Sequence, residues 1–122
     1  MSAFTDQVQA AVLAHGEWKS RLRQAIATGH SDFRVEVVQQ DNACAFGKWL
    51  YDEGHRSFPS SSDYEDVRRL HAEFHKEASR VLGLAVSGKA EEASKAMGMG
   101  LPFSRISAQL VTALTRSRSA AA

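Results

Sequence analysis

The sequence predicts an all-α fold, an antiparallel four-helix bundle in which one short helix carries the cysteine. Three observations lead there. Apolar residues recur at spacings of three and four over long stretches, the mark of helices with one buried stripe. Only two prolines occur among 122 residues, and glycine and serine gather at a few joints, so the chain divides into long segments joined by short turns. A length of 122 residues with 43% hydrophobic content suits one domain, residues 1–122, able to bury a core without disulfides.

The first helix starts near Phe4. Val8, Ala11, Val12, His15, Trp18, Leu22 and Ile26 follow on one stripe, and Thr28-Gly29 supplies the stop. Residues 33–41 form a lead-in of unassigned form: Val35, Val37 and Val38 favour a strand, but a strand here has no partner. A short helix is expected over residues 42–53, ending at Gly54. Pro59 and Ser60-Ser61-Ser62 make a polar joint, and Ser62-Asp63-Tyr64-Glu65 has the pattern of a reciprocal capping box. The third helix begins there. Its stripe runs Tyr64, Val67, His71, Phe74, Ala78, Val81 and Ala85, with Leu70, His75 and Leu82 beside it, to a stop at Ser87-Gly88. The last helix is expected from Lys89 to Ser117, with Met97, Phe103, Ile106, Leu110 and Leu114 inward and a kink or break near Gly98, Gly100 and Pro102. Ala120-Ala121-Ala122 reads as a frayed end. Helices joined this closely pack most simply as antiparallel neighbours.

Fifteen Lys and Arg against fourteen Asp and Glu leave a formal net charge of +1, so no electrostatic footprint for nucleic acid or anionic lipid is present. No apolar run approaches the roughly 18 residues needed to span a bilayer, and the N-terminus has no secretory pattern. A cytoplasmic protein without membrane contact is expected, with Cys44 reduced.

The chemistry-bearing residues are few. His71 and His75, four apart on the third helix, project from one face and can share a metal ion, although two histidines at this spacing also arise by chance on surfaces. His71 lies on the apolar stripe, where a neutral imidazole needs a partner for each ring nitrogen. His15 stands in the same position on the first helix; taken alone it reads as a satisfied core residue. Cys44, taken alone, reads as a small buried hydrophobe. Together the three histidines and the thiol form a ligand set that selects zinc, and four such ligands complete a tetrahedron.

The segment Cys44-Ala45-Phe46-Gly47-Lys48-Trp49-Leu50-Tyr51 resembles the signature of the chemoreceptor zinc-binding (CZB) domain family. That pattern places a histidine on the first helix, then Cys-x-x-Gly-x-Trp, then His-x-x-x-His about 27 positions after the cysteine. Here the matching residues are His15, then Cys44, Gly47 and Trp49, then His71 and His75. The resemblance implies a four-helix bundle holding one zinc ion per chain through three His and one Cys, and a homodimer that regulates a chemoreceptor or diguanylate cyclase partner. It also implies sensing of hypochlorous acid at Cys44 as well as of zinc. The residues themselves suggest why the signature exists. Gly47 lets the short helix approach the bundle closely, and Trp49 and Leu50 anchor it. Asp41 is read as the cap of that helix, the other reading being a hydrogen bond behind the metal ligands.

His30 and His55 each follow a glycine in a joint and are excluded as ligands. Arg105, Arg116 and Arg118 suit a helix C-terminus. Met97, Met99 and Leu101 exceed what one inward stripe needs, and the last helix there, together with the first helix, offers a dimer surface.

A zinc enzyme is disfavoured, because Glu73 follows His71 by two positions, about 200° around the helix, whereas a metalloprotease glutamate follows its first histidine directly. Four protein ligands would also leave no open position for water. A haemerythrin-like di-iron bundle needs several inward carboxylates, and no histidine here has an acid four positions later. A structural, zinc-stabilised dimerisation module shares the expected site and is the first alternative kept, with the haemerythrin-like di-iron bundle behind it.

Overall fold

The computed structural model describes residues 3–42 and 44–121, and among these every regular element is helical. In chain order the elements are α1 (Ala3–Thr28), α2 (Val35–Val38), α3 (Ala45–Trp49), a π-helical turn (Leu50–Gly54), α4 (His55–Ser57), α5 (Ser61–Val86), α6 (Ala90–Ala96) and α7 (Pro102–Ala121).

Cross-chain contacts fix the topology. His15 meets Ser107 while Arg118 donates to Gln9, so α1 and α7 run antiparallel. Arg116 pairs with Asp63 and Asp66 while Phe103 packs on Phe74, so α7 is antiparallel to α5 as well. The segment between α1 and α5 descends along α5: Val38 meets His75, Phe46 meets His71, and Phe58 meets Tyr64. The bundle is therefore up-down-up-down, and its second member is the broken run α2, α3, π-turn and α4.

The core follows the sequence stripes. Val8, Leu22, Leu50, Val67, Val81, Leu82, Ala93, Phe103 and Leu114 are almost wholly buried, and Phe74, Ala78 and Leu110 lie between them. Each buried Leu, Val or Phe side chain contributes about 1.5–3 kcal/mol by leaving water. Phe4, Trp49 and Phe58 form a cluster with ring centroids 4.9 to 6.1 Å apart, closing the end of the bundle where α1 begins.

The expected stops at Gly29 and Gly88 are present, with φ of +75° and +81°, a conformation that costs glycine nothing. At the second, Lys89 N–H donates to the Leu84 carbonyl, closing the last turn of α5. The expected break in the last helix separates α6 from α7, and Pro102 occupies the first position of α7, where a missing N–H costs little.

Three local expectations are corrected, and the unassigned lead-in takes a definite form. The valine-rich lead-in is one helical turn, with Val38 turned into the core. The cap of α5 is Ser60, whose hydroxyl accepts from Asp63 N–H at 3.1 Å; Ser62 and Glu65 lie inside the helix and make no capping box. The short helix does not end at Gly54. Gly54 keeps helical angles and the chain continues through α4; the Trp49 ring lies over Gly54, 3.3 Å from where a Cβ would stand, so the glycine makes room for the ring rather than a stop. Ala120 and Ala121 belong to α7 rather than to a frayed end. Ala43, within the expected short helix, and Ala122 lie outside the described residues.

Candidate metal centre

α5 presents His71 and His75 one turn apart on its buried face, both about 95% buried, with Nε2 atoms 3.1 Å apart. Cys44 arrives from the loop before α3. As the cap residue of that helix it is extended, with φ −82° and ψ 162°, and its Sγ accepts from Gly47 N–H at 3.3 Å. The same sulfur lies 3.4 Å from His71 Nε2 and 3.5 Å from His75 Nε2. A tetrahedral zinc with Zn–S about 2.3 Å and Zn–N about 2.05 Å has edges of about 3.6 Å from sulfur to nitrogen and about 3.3 Å between nitrogens. The three donor atoms have spacings within about 0.2 Å of one face of such a tetrahedron.

Gly47 makes the loop possible in a way the sequence reading did not anticipate. Its open side faces the preceding chain and not the bundle: a Cβ would stand 1.8 Å from the Asp41 carbonyl oxygen. Asp41 does not cap α3, since Cys44 holds that position; its carboxylate takes the Tyr51 hydroxyl, while its carbonyl lies 3.9 Å from Cys44 Sγ. Trp49 does anchor the segment, against Phe46 on one side and Phe4 and Phe58 on the other.

His75 is oriented from behind. Its Nδ1–H donates to the Val38 carbonyl at 2.8 Å, which leaves the lone pair on Nε2, the atom in the cluster. His71 Nδ1 is buried and has no hydrogen-bond partner, and the ring lies edge-on to Phe46. Burial, reinforced by His75, pushes the His71 pKa down to about 3; burial also lowers His75, partly opposed by its bond to Val38. Burial raises the Cys44 thiol above its ordinary value, partly opposed by backbone N–H groups. Without metal, then, the imidazoles are neutral at pH 7 and the thiol keeps its proton.

The fourth expected ligand, His15, is 6% exposed and stands on the wall of a cavity of about 220 Å³ that also touches Cys44, His71 and His75. Burial, with Lys19 nearby, pushes its pKa down to about 4. Its Nε2 is hydrogen-bonded to Ser107 Oγ, its Nδ1 is buried without a partner, and it is not among the three donors that lie within 4.8 Å of one another. The structure therefore brings together three of the four expected ligands and places the fourth beside them. His30 and His55 are exposed and stand outside the cluster, and Glu73 pairs with Arg69 at 3.6 Å.

Two contributors escaped the sequence reading. The Val38 carbonyl gives no side-chain signal. Ser107 does give one, since it is a polar residue on the inward stripe between Phe103 and Leu110.

Fold and site define a small helical bundle with a Cys/His cluster whose donor atoms could hold a metal ion. Residues 15–82 match the chemoreceptor zinc-binding domain profile, more than half of the chain, and the protein belongs to the CZB family. No curated protein and no solved structure matches the chain. The family binds zinc, and a thiolate with imidazoles is the donor set that favours this ion. No described helix is long and apolar enough to cross a membrane.

Proposed function

We propose that this domain is a cytoplasmic, non-catalytic zinc sensor. It holds one zinc ion per chain through His15, Cys44, His71 and His75, and it passes occupancy to a chemoreceptor or diguanylate cyclase partner. The triangle of Cys44, His71 and His75 donor atoms, with edges of 3.1 to 3.5 Å, carries the reading. A bound zinc ion supplies a charge that keeps the cysteine as a thiolate. Cys44 gives up its proton on binding, His71 and His75 offer lone pairs already free, and Val38 holds the His75 ring in place. The ligands sit on separate elements, so occupancy ties α3 to α5.

The same cysteine suits an oxidant signal. The thiolate sulfur attacks the chlorine of hypochlorous acid and hydroxide leaves. Water then replaces chloride on sulfur, giving a sulfenic acid oxidised by two electrons and a weaker ligand. Output through a surface needs a partner or a second copy, and Met99, 97% exposed, with Leu101 supports a homodimer through this end.

Zinc titration against a competing chelator tests the site. One equivalent is expected to bind, with binding lost in His15→Ala, Cys44→Ala, His71→Ala and His75→Ala and kept in His30→Ala and His55→Ala. Full zinc content in Cys44→Ala would overturn the reading. Sedimentation with zinc and after chelation separates sensor from structural module: a dimer whose packing ignores zinc would favour the module.

A further inference from the structure

The buried serines of the bundle differ in what they bond. Ser79 and Ser117 donate to backbone carbonyls within their own helices, at Lys76 and Ala113. Ser107, 1% exposed, reaches the Nε2 of His15, 92 residues away on α1. The other nitrogen of that ring, Nδ1, is buried and unpartnered, in a residue that lines the cavity shared with Cys44, His71 and His75. The two nitrogens of an imidazole point in divergent directions, so a bond from one to α7 leaves the other free for a different neighbour. When Nε2 carries the proton and donates to Ser107, Nδ1 holds the bare lone pair that a metal needs. His75 shows the same arrangement in mirror form, with Nδ1–H on the Val38 carbonyl and Nε2 in the cluster.

We propose that Ser107 is a positioning residue of the metal centre: it fixes His15 in the Nε2-protonated tautomer, so that when His15 moves inward from its place outside the three-donor cluster it binds zinc through Nδ1, unlike His71 and His75, which bind through Nε2. The proposal rests on the four-ligand reading above. It also ties α7, which lies outside the matched family segment, to the metal. Removing the hydroxyl frees the ring to rotate and to change tautomer, and loss of such an outer partner weakens metal binding by about 10–100-fold.

The test combines chelator-competition affinities of the full chain with nitrogen-15 spectra of the histidine rings in the zinc-loaded wild type. Ser107→Ala is expected to bind zinc about 10–100-fold more weakly, and Ser107→Thr, which keeps the hydroxyl, to recover most of the loss. The wild-type spectra are expected to show the His15 proton on Nε2 and the metal on Nδ1, a readout that a purely structural serine would not set and that needs no variant to fold. Unchanged or tighter binding in Ser107→Ala, or a metal-bound Nε2 on His15, would overturn the proposal. His15→Ala distinguishes the failures: if it binds zinc as tightly as wild type, the four-ligand reading falls together with the role of Ser107. If it binds weakly while Ser107→Ala does not, only the role of Ser107 falls.

Discussion

At the scale of single residues, the centre is built so that protons and metal compete at one atom. The three histidines have pKa values pushed below the ordinary 6.5, to about 4 for His15 and about 3 for His71, while the Cys44 thiol is pushed upward. Zinc binding at pH 7 is therefore expected to release about one proton per chain, that of Cys44, because the imidazoles are already neutral. Calorimetric titration in buffers of different ionisation enthalpy counts it; a release near zero would mean that the thiol is ionised before the metal arrives. The metal-free fold carries the other consequence. Between about 3 and 6.5 the unfolded chain binds protons that folded His15 and His71 refuse, so stability rises with pH there. It is full above 6.5 and is lost progressively as the pH falls toward the folded values, which urea midpoints measured from pH 7 down to 4 would follow. His15, His71 and His75 were legible because the stripe period and the four-residue spacing both report facing direction, whereas Cys44, in a loop, was legible only through the donor set and the signature it opens. The bond from Val38 was not, since a carbonyl has no sequence identity, and the true neighbour of Gly47 depended on how a loop folds back.

At the scale of elements, glycine separates positions that serve geometry from positions that merely tolerate it. Gly47→Ala forces a methyl into the Asp41 carbonyl, 1.8 Å away, and nothing there is a flexible side-chain end. Overpacking of this kind costs about 1–3 kcal/mol, and here it also displaces the loop that delivers Cys44, so zinc affinity is expected to fall with stability. Gly16 and Gly83 sit within α1 and α5, with nothing within 4 Å of where a methyl would stand. Their alanine variants are expected to gain about 0.5–1 kcal/mol from helix propensity alone and to bind zinc unchanged. Equal behaviour of Gly47→Ala and Gly16→Ala in urea unfolding would contradict the packing account. The long helices were legible because their stripes repeat over several turns. The second member was only partly so: Val35, Val37 and Val38 have strand propensity, and burial of Val38 against α5 overrides it.

At the scale of the whole molecule, the bundle has three long members and one broken one, and Cys44, the cysteine of the proposed site, lies on the broken one. Its short helices α2, α3, π-turn and α4 are held to α5 by Phe46 on His71, by the His75 bond to Val38, and by Cys44 beside His71 and His75. Segments this short open locally more readily than three continuous helices sharing one core. A zinc ion that binds the docked form 100-fold better than the released form shifts that local equilibrium by about 2.7 kcal/mol. Chelation is then expected to speed amide hydrogen exchange over residues 35–57 by about 100-fold while the central turns of α5 and α7 change little. Hydrogen exchange resolved by mass spectrometry, with zinc and after chelation, measures this directly. A uniform loss of protection across α1, α5 and α7 would instead mean that the metal stabilises the bundle as one cooperative unit. A signal carried by release of the second member would then give way to the structural-module reading, in which occupancy sets stability without changing the surface a partner meets.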